Sequence, residues 1–250
     1  MELEPFVFRH EGRLRGMRWL PSEDQDTRDG IAEAVNRLAL RPLAEDEYAV
    51  FSLDLCHDQV DRHFSRFPAE ELEKINRMVV GRPLMERHDL RGSLPRGTFF
   101  RSELVREESN GGARMVVRPD VYVLRSRENA DFILNIEGGV YRETSIGFSF
   151  ETPECSVCGK DLRTCDHIPG RTYGGASCHY IMRGILDVIE GSVVPAGSQG
   201  TQFVACKSRC AGTCGRAARP LSETLEMARR GFHRPIEVRA TAWAAGWAAE

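Results

Sequence analysis

Four cysteines, Cys155, Cys158, Cys165 and Cys178, fall within 24 residues, in a stretch too rich in glycine and proline to build a core of its own. Cys155-Ser156-Val157-Cys158 is a C-x2-C knuckle, whose short turn presents two sulfurs to one ion. Cys165-Asp166-His167 and Cys178-His179 follow, so more ligands are present than a tetrahedral site needs. The same insert holds Pro153, Gly159, Pro169, Gly170, Gly174 and Gly175, and little apolar material to order it without a metal. The expected ion is zinc, held by Cys155, Cys158, Cys165 and Cys178, with His167 as the competing fourth ligand. Four protein ligands leave no open position for a substrate, so the zinc is expected to be structural. Cys206, Cys210 and Cys214 recur at i, i+4, i+8 but are one ligand short, and Gly212 and Gly215 weaken a helix there; no second metal site is assigned. Cys56 stands alone.

Charge narrows the partners. Among 250 residues, 34 Lys and Arg face 37 Asp and Glu, a formal charge of −3. That balance argues against a protein that grips nucleic acid or an anionic membrane through bulk charge. No apolar run reaches the roughly 18 residues of a membrane span, and Met1-Glu2-Leu3-Glu4-Pro5 lacks the basic start of a signal peptide. A reducing cytosol is expected, where clustered cysteines bind metal rather than pair.

Along the chain, Phe6-Val7-Phe8 alternates as a short strand does. Ile31, Val35 and Leu38 share one face of a helix. Residues 49–53 read as a strand, and Pro68 opens a helix whose buried side is Leu72, Ile75 and Val79 and whose end is Gly81. Residues 98–105, 115–124, 140–150 and 181–195 are rich in β-branched and aromatic residues, with a helix expected at 129–136. No regular βαβ rhythm appears. The expected class is α+β, a mainly antiparallel β-barrel with short helices around it and a small Cys-rich zinc-binding insert at 151–180. A core at 45–200 lies between an N-terminal flank, 1–44, and a C-terminal tail, 201–250, which includes a short helix near 221–230.

Two residues stand out as candidates for hydrolytic chemistry. His88 ends the stretch Gly81-Arg82-Pro83-Leu84-Met85-Glu86-Arg87-His88-Asp89, among charges where a structural histidine would be odd. Ser145 lies in Glu143-Thr144-Ser145-Ile146-Gly147-Phe148, a strand whose glycine admits close approach, as an oxyanion site requires. Taken singly, each reads as an ordinary loop or strand residue. The G-x-S-x-G elbow of α/β-hydrolases is absent.

Those two blocks, followed by Glu190-Gly191-Ser192-Val193-Val194-Pro195-Ala196, resemble in order and content the prohead (capsid-maturation) proteases of tailed bacteriophages. Some members carry a similar cysteine insert, matched here by Cys165-Asp166-His167-Ile168-Pro169-Gly170 and Tyr173-Gly174-Gly175. The resemblance covers roughly residues 45–200. Thr144 and Gly191 both stand where the family usually has valine. The resemblance implies the herpesvirus assemblin fold and a serine endopeptidase in which Ser145 attacks, His88 moves the proton and Glu190 orients the imidazole, with Asp187 and His179 as alternatives for that last role. It also implies a scaffold or capsid-protein precursor as substrate, cut inside the assembling prohead in the host bacterial cytoplasm, with self-cleavage in the tail and no cofactor for the chemistry. Neither a membrane nor direct nucleic-acid contact is expected, and self-association is left open. The competing class is a non-enzymatic, zinc-stabilised binding or capsid-assembly module.

Overall fold

The structure is a computed structural model that describes residues 25–204, apart from residues 110 and 111. The strand near residues 6–8, the cysteines at 206, 210 and 214 and the helix near 221–230 lie outside the described residues.

Helix α1 (Gln25–Asn36) buries Ile31 and Val35 as the spacing requires, while Leu38 falls past its end and is exposed. Although α1 belongs to the N-terminal flank, Ile31, Ala34 and Val35 pack with Tyr48 and Phe100 in a small core of their own. Strand β1 (Tyr48–Ser52) follows, then β2 (Cys56–His57), β3 (Ser65–Arg66) and α2 (Ala69–Met78). Pro68 caps α2, where its missing N–H costs nothing, and Leu72, Ile75 and Val79 are fully buried. Gly81, at φ +86°, turns the chain out of the helix into β4 (Pro83–Glu86). A long hairpin, β5 (Pro95–Ser109) and β6 (Gly112–Leu124), is followed by α3 (Ala130–Glu137), which buries Phe132, Ile133 and Ile136. Strand β7 (Glu143–Cys155) runs into the cysteine insert, which holds the small hairpin β8 (Thr172–Tyr173) and β9 (Ala176–Ser177). Strand β10 (Tyr180–Val194) returns along β7.

The architecture is mixed α+β and mostly sheet, yet the expected barrel is not formed. Among the described residues, eight strands make one open sheet in the order β1-β6-β5-β4-β10-β3, with β2 also on β6 and β7 also on β10. Most pairs are antiparallel, but β10 pairs with β3 and β4 in parallel. Closure would need a continuous strand between β1 and β7. The chain there carries Pro195, Gly197 and Gly200 (φ +62°), and it meets the two edges through the isolated bridges Leu53–Phe203 and Glu143–Gln202 and the few backbone hydrogen bonds of residues 201–204, not through a continuous ladder. Alternating apolar strands reveal that a sheet will curve, but not whether its last edge is sealed.

The main core packs α2 and α3 against the sheet through Leu72, Ile75, Phe132 and Ile136, with Phe99, Val117 and Val188 from the strands. Among the described residues, no helix is long and apolar enough to cross a membrane.

Candidate active site and metal centre

Three neighbouring strands assemble the candidate catalytic residues. Strand β10 lies between β7 and β4, so Ser192 faces Ser145 on one side and Met85 on the other. Three residues beyond Met85 comes His88. The turn that swings it off the sheet is made at Arg87, whose φ of +83° is unusual for a residue with a side chain. Arg87 is pinned there by its N–H, which donates to Val193 O at 3.1 Å. Asp89 closes the following loop, its Oδ1 accepting from the N–H groups of Arg91 and Gly92.

This geometry brings His88 Nδ1 to 2.5 Å from Glu190 Oε1. The second carboxylate oxygen of Glu190, Oε2, accepts from Ser192 Oγ, also at 2.5 Å. Glu190 and Ser192 are two residues apart on one strand, so both side chains leave the same face, as do Gly147 and Ser145 opposite them. Glu190 is 2% exposed and Ser192 is fully buried, whereas His88 is open to solvent and Ser145 is half-buried. A buried carboxylate is tolerable here because both oxygens have partners.

The two glycines of these blocks have different reasons. A Cβ on Gly147 would clash with the Glu190 carboxylate, so this glycine makes room for that group rather than for an oxyanion as the sequence had suggested. A Cβ on Gly191 would lie 2.6 Å from Phe99 Cζ, on the core side of the strand, so the departure from valine leaves Glu190 in place. The alternatives for the orienting role are engaged elsewhere: Asp187 Oδ1 accepts from Arg82 Nη2 at 2.6 Å, and His179 is tied to Ser156 and Ser177.

Comparison with protein-family models, with curated proteins and with solved structures finds no match.

The insert at the far end of the β7–β10 pair forms the second centre. One ligand atom from each of Cys155, Cys158, Cys165 and His167 lies within 4.8 Å of the other three, so the cluster could hold a metal ion. The described cysteines form no disulfide. His167 Nδ1 is buried with no hydrogen-bond partner, and its ring is held edge-on to Tyr173 at 4.6 Å, an orphan that a metal would satisfy. Burial opposes ionisation of the Cys155 thiol, but the Cys158 and Val157 amides and the thiols of Cys158 and Cys165 outweigh it and bring it down to about 6. The group of four thus takes His167 in place of Cys178. Cys178 is buried beside Cys155, with its thiol pushed up by burial and by the neighbouring sulfurs, and its backbone is committed to Gly170 and Arg171.

Residues that the sequence did not single out also gather near Ser145. Ser192 stands in the third block, and its spacing of two from Glu190 on a strand is the signal for it. Asp61, His63, Ser65 and Phe67 line a cavity beside Ser145, and nothing in their local sequence announces it.

Proposed function

We propose that this chain is a serine endopeptidase of the prohead-protease kind, acting on a scaffold or capsid-protein precursor in the host bacterial cytoplasm. The observation that carries the reading is the contact of His88 with the buried, doubly bonded Glu190 on the strand that pairs with Ser145. With Nδ1–H donating to the Glu190 carboxylate, Nε2 of His88 is left as the basic nitrogen, and among the described residues it has no other hydrogen bond. His88 takes the proton of the Ser145 hydroxyl as its oxygen attacks the scissile carbonyl. It then returns that proton to the leaving amine, and water repeats the sequence to release the acyl group. Glu190 holds the ring's tautomer and stabilises the imidazolium that forms.

In this reading the ion of the cysteine cluster is zinc. Three sulfurs and an imidazole suit it, and a tetrahedron of ~2.3 Å zinc–sulfur bonds has edges of about 3.8 Å, compatible with the observed cluster. Bound there it braces the insert, and the acyl transfer needs no other group.

The test is twofold. A fluorophosphonate probe should label the wild type at Ser145, and the wild type should cut a co-expressed capsid or scaffold precursor. Ser145→Ala should abolish both, and His88→Ala should slow both by about 10³-fold or more while leaving the fold intact. A folded wild type that neither labels nor cleaves would instead favour the non-enzymatic assembly module.

A further inference from the structure

Among the described residues, strand β7 pairs with β10 along one edge only. On its other edge, Thr144 is the last of them with a partner before the far end: its N–H donates to Thr201 O at 2.9 Å, and its carbonyl accepts from Thr201 Oγ1 at 2.8 Å. Backbone groups of alternate residues leave the same edge of a strand, so those of Ile146 and Phe148 face the way Thr144 does. Among the described residues no strand pairs with them there. Folded proteins normally blunt such an edge with lysine, proline or a bulge, yet residues 143–152, ETSIGFSFET, carry neither lysine nor proline, and the irregularities of this pair leave out residues of β10 instead.

Beside this edge lies a cavity of about 190 Å³ whose lining includes Ser145. Its apolar walls include Leu55, Phe67, Ile146, Phe148, Tyr180 and Met182, and polar residues such as Asp61, His63, Ser198, Gln199 and Thr201 line the rest. Leu55, Phe67 and Met182 are almost completely buried, and the Phe67 and Phe148 rings pack at 4.9 Å, so the walls are fixed by the core. The space is too small for a cofactor or a drug-sized ligand and suits one large side chain. Asp61, also in the lining, accepts from the N–H groups of His63 and Ser65 and from Ser65 Oγ, and its negative charge would repel an acidic side chain.

We propose that the open edge of β7 binds an extended peptide by strand addition at Ile146 and Phe148, and that the cavity takes one large apolar side chain (leucine, methionine or phenylalanine) of that peptide next to the bond presented to Ser145. Main-chain pairing supplies sequence-independent affinity, and the cavity supplies selectivity. The inference rests on the reading of Ser145 as the attacking group, and it names the substrate class of that site.

Its test separates the two. Ser145→Ala protein is titrated with end-blocked, fluorescently labelled heptapeptides of alanine, serine and threonine in which one position is leucine, methionine, phenylalanine or aspartate, and amide exchange is followed on β7. The apolar peptides should bind about tenfold or more tighter than the aspartate series, and they should protect the amides of Ile146 and Phe148. Phe148→Trp, which narrows the cavity, should erase the preference while keeping the fold. Equal binding of the leucine and aspartate peptides, no binding at millimolar peptide, or binding without protection of Ile146 and Phe148 would overturn the proposal. Cleavage by the wild type at sites with no apolar preference would also remove it and leave the protease reading standing. Selective binding by a chain that cleaves nothing would do the reverse.

Discussion

Ser192 is the residue whose role is easiest to isolate. Its hydroxyl holds one oxygen of Glu190 while His88 holds the other, so Ser192→Ala leaves a buried carboxylate oxygen without a donor. The expected result is a loss of about 1–3 kcal/mol in unfolding free energy and a fall of about tenfold in kcat with KM unchanged, since the substrate does not touch this hydroxyl. Ser192→Thr, which keeps the donor, should recover most of the kcat. Steady-state kinetics with denaturant titration reads both, and an unchanged kcat in the alanine variant would mean that Glu190 is oriented by other groups. Gly147 belongs to the same arrangement, because only a residue without Cβ lets the carboxylate lie across β7. None of this could be read locally: a serine two residues from a glutamate is unremarkable until the strand register places Ser145 and Gly147 opposite them.

At the scale of elements, Glu71 fastens α2 to β10 beside the ion pair of Glu70 with Arg183. Gly184 of β10 has φ +70°, and Glu71 accepts from the N–H groups of Gly184 and Ile185 at 3.0 and 2.9 Å and from Lys74 Nζ at 3.0 Å. Burial alone would raise the Glu71 carboxyl, but these donors prevail and hold it below the ordinary glutamate value of 4.5. The unfolded chain therefore binds the proton more readily, and this contribution to stability is complete above pH 4.5 and disappears as the pH falls through the lower folded value. Glu71→Gln should cost about 1–3 kcal/mol at pH 7, and the gap to the wild type should shrink steadily below pH 4.5 in denaturant titrations. A gap independent of pH would show that the ionised form has no special part. The helix itself was legible, since Pro68, the apolar spacing and Gly81 mark its start, face and end. Its fastening was not, because a polar residue at a buried position breaks the pattern by which faces are recognised.

Over the whole molecule, the metal cluster and the candidate active site sit at opposite ends of the same β7–β10 pair, and the insert also touches the loop that lines the cavity. Gly170 lies against the Phe64 ring, Tyr180 N–H donates to Phe64 O at 2.9 Å, and Ser65 pairs with Tyr180. Purified protein should carry about one zinc per chain, lost on Cys155→Ser or with a strong chelator. Amide exchange should then rise in residues 155–178 and 61–65, while the core around Leu72, Ile75 and Phe99 stays protected. A metal-free wild type with unchanged exchange would refute the cluster's role. The sequence by itself determined the mixed α+β class, the strands β1, β5, β6, β7 and β10, the helices and the cysteine cluster, because periodicity, turn residues and ligand spacing are local properties of the chain. Only the tertiary structure decided that the sheet stays open, that His167 rather than Cys178 joins the cluster, and that Glu190 rather than Asp187 or His179 meets His88. Each of these depends on which strands become neighbours and in what register, and that is set by the packing of residues far apart in the chain.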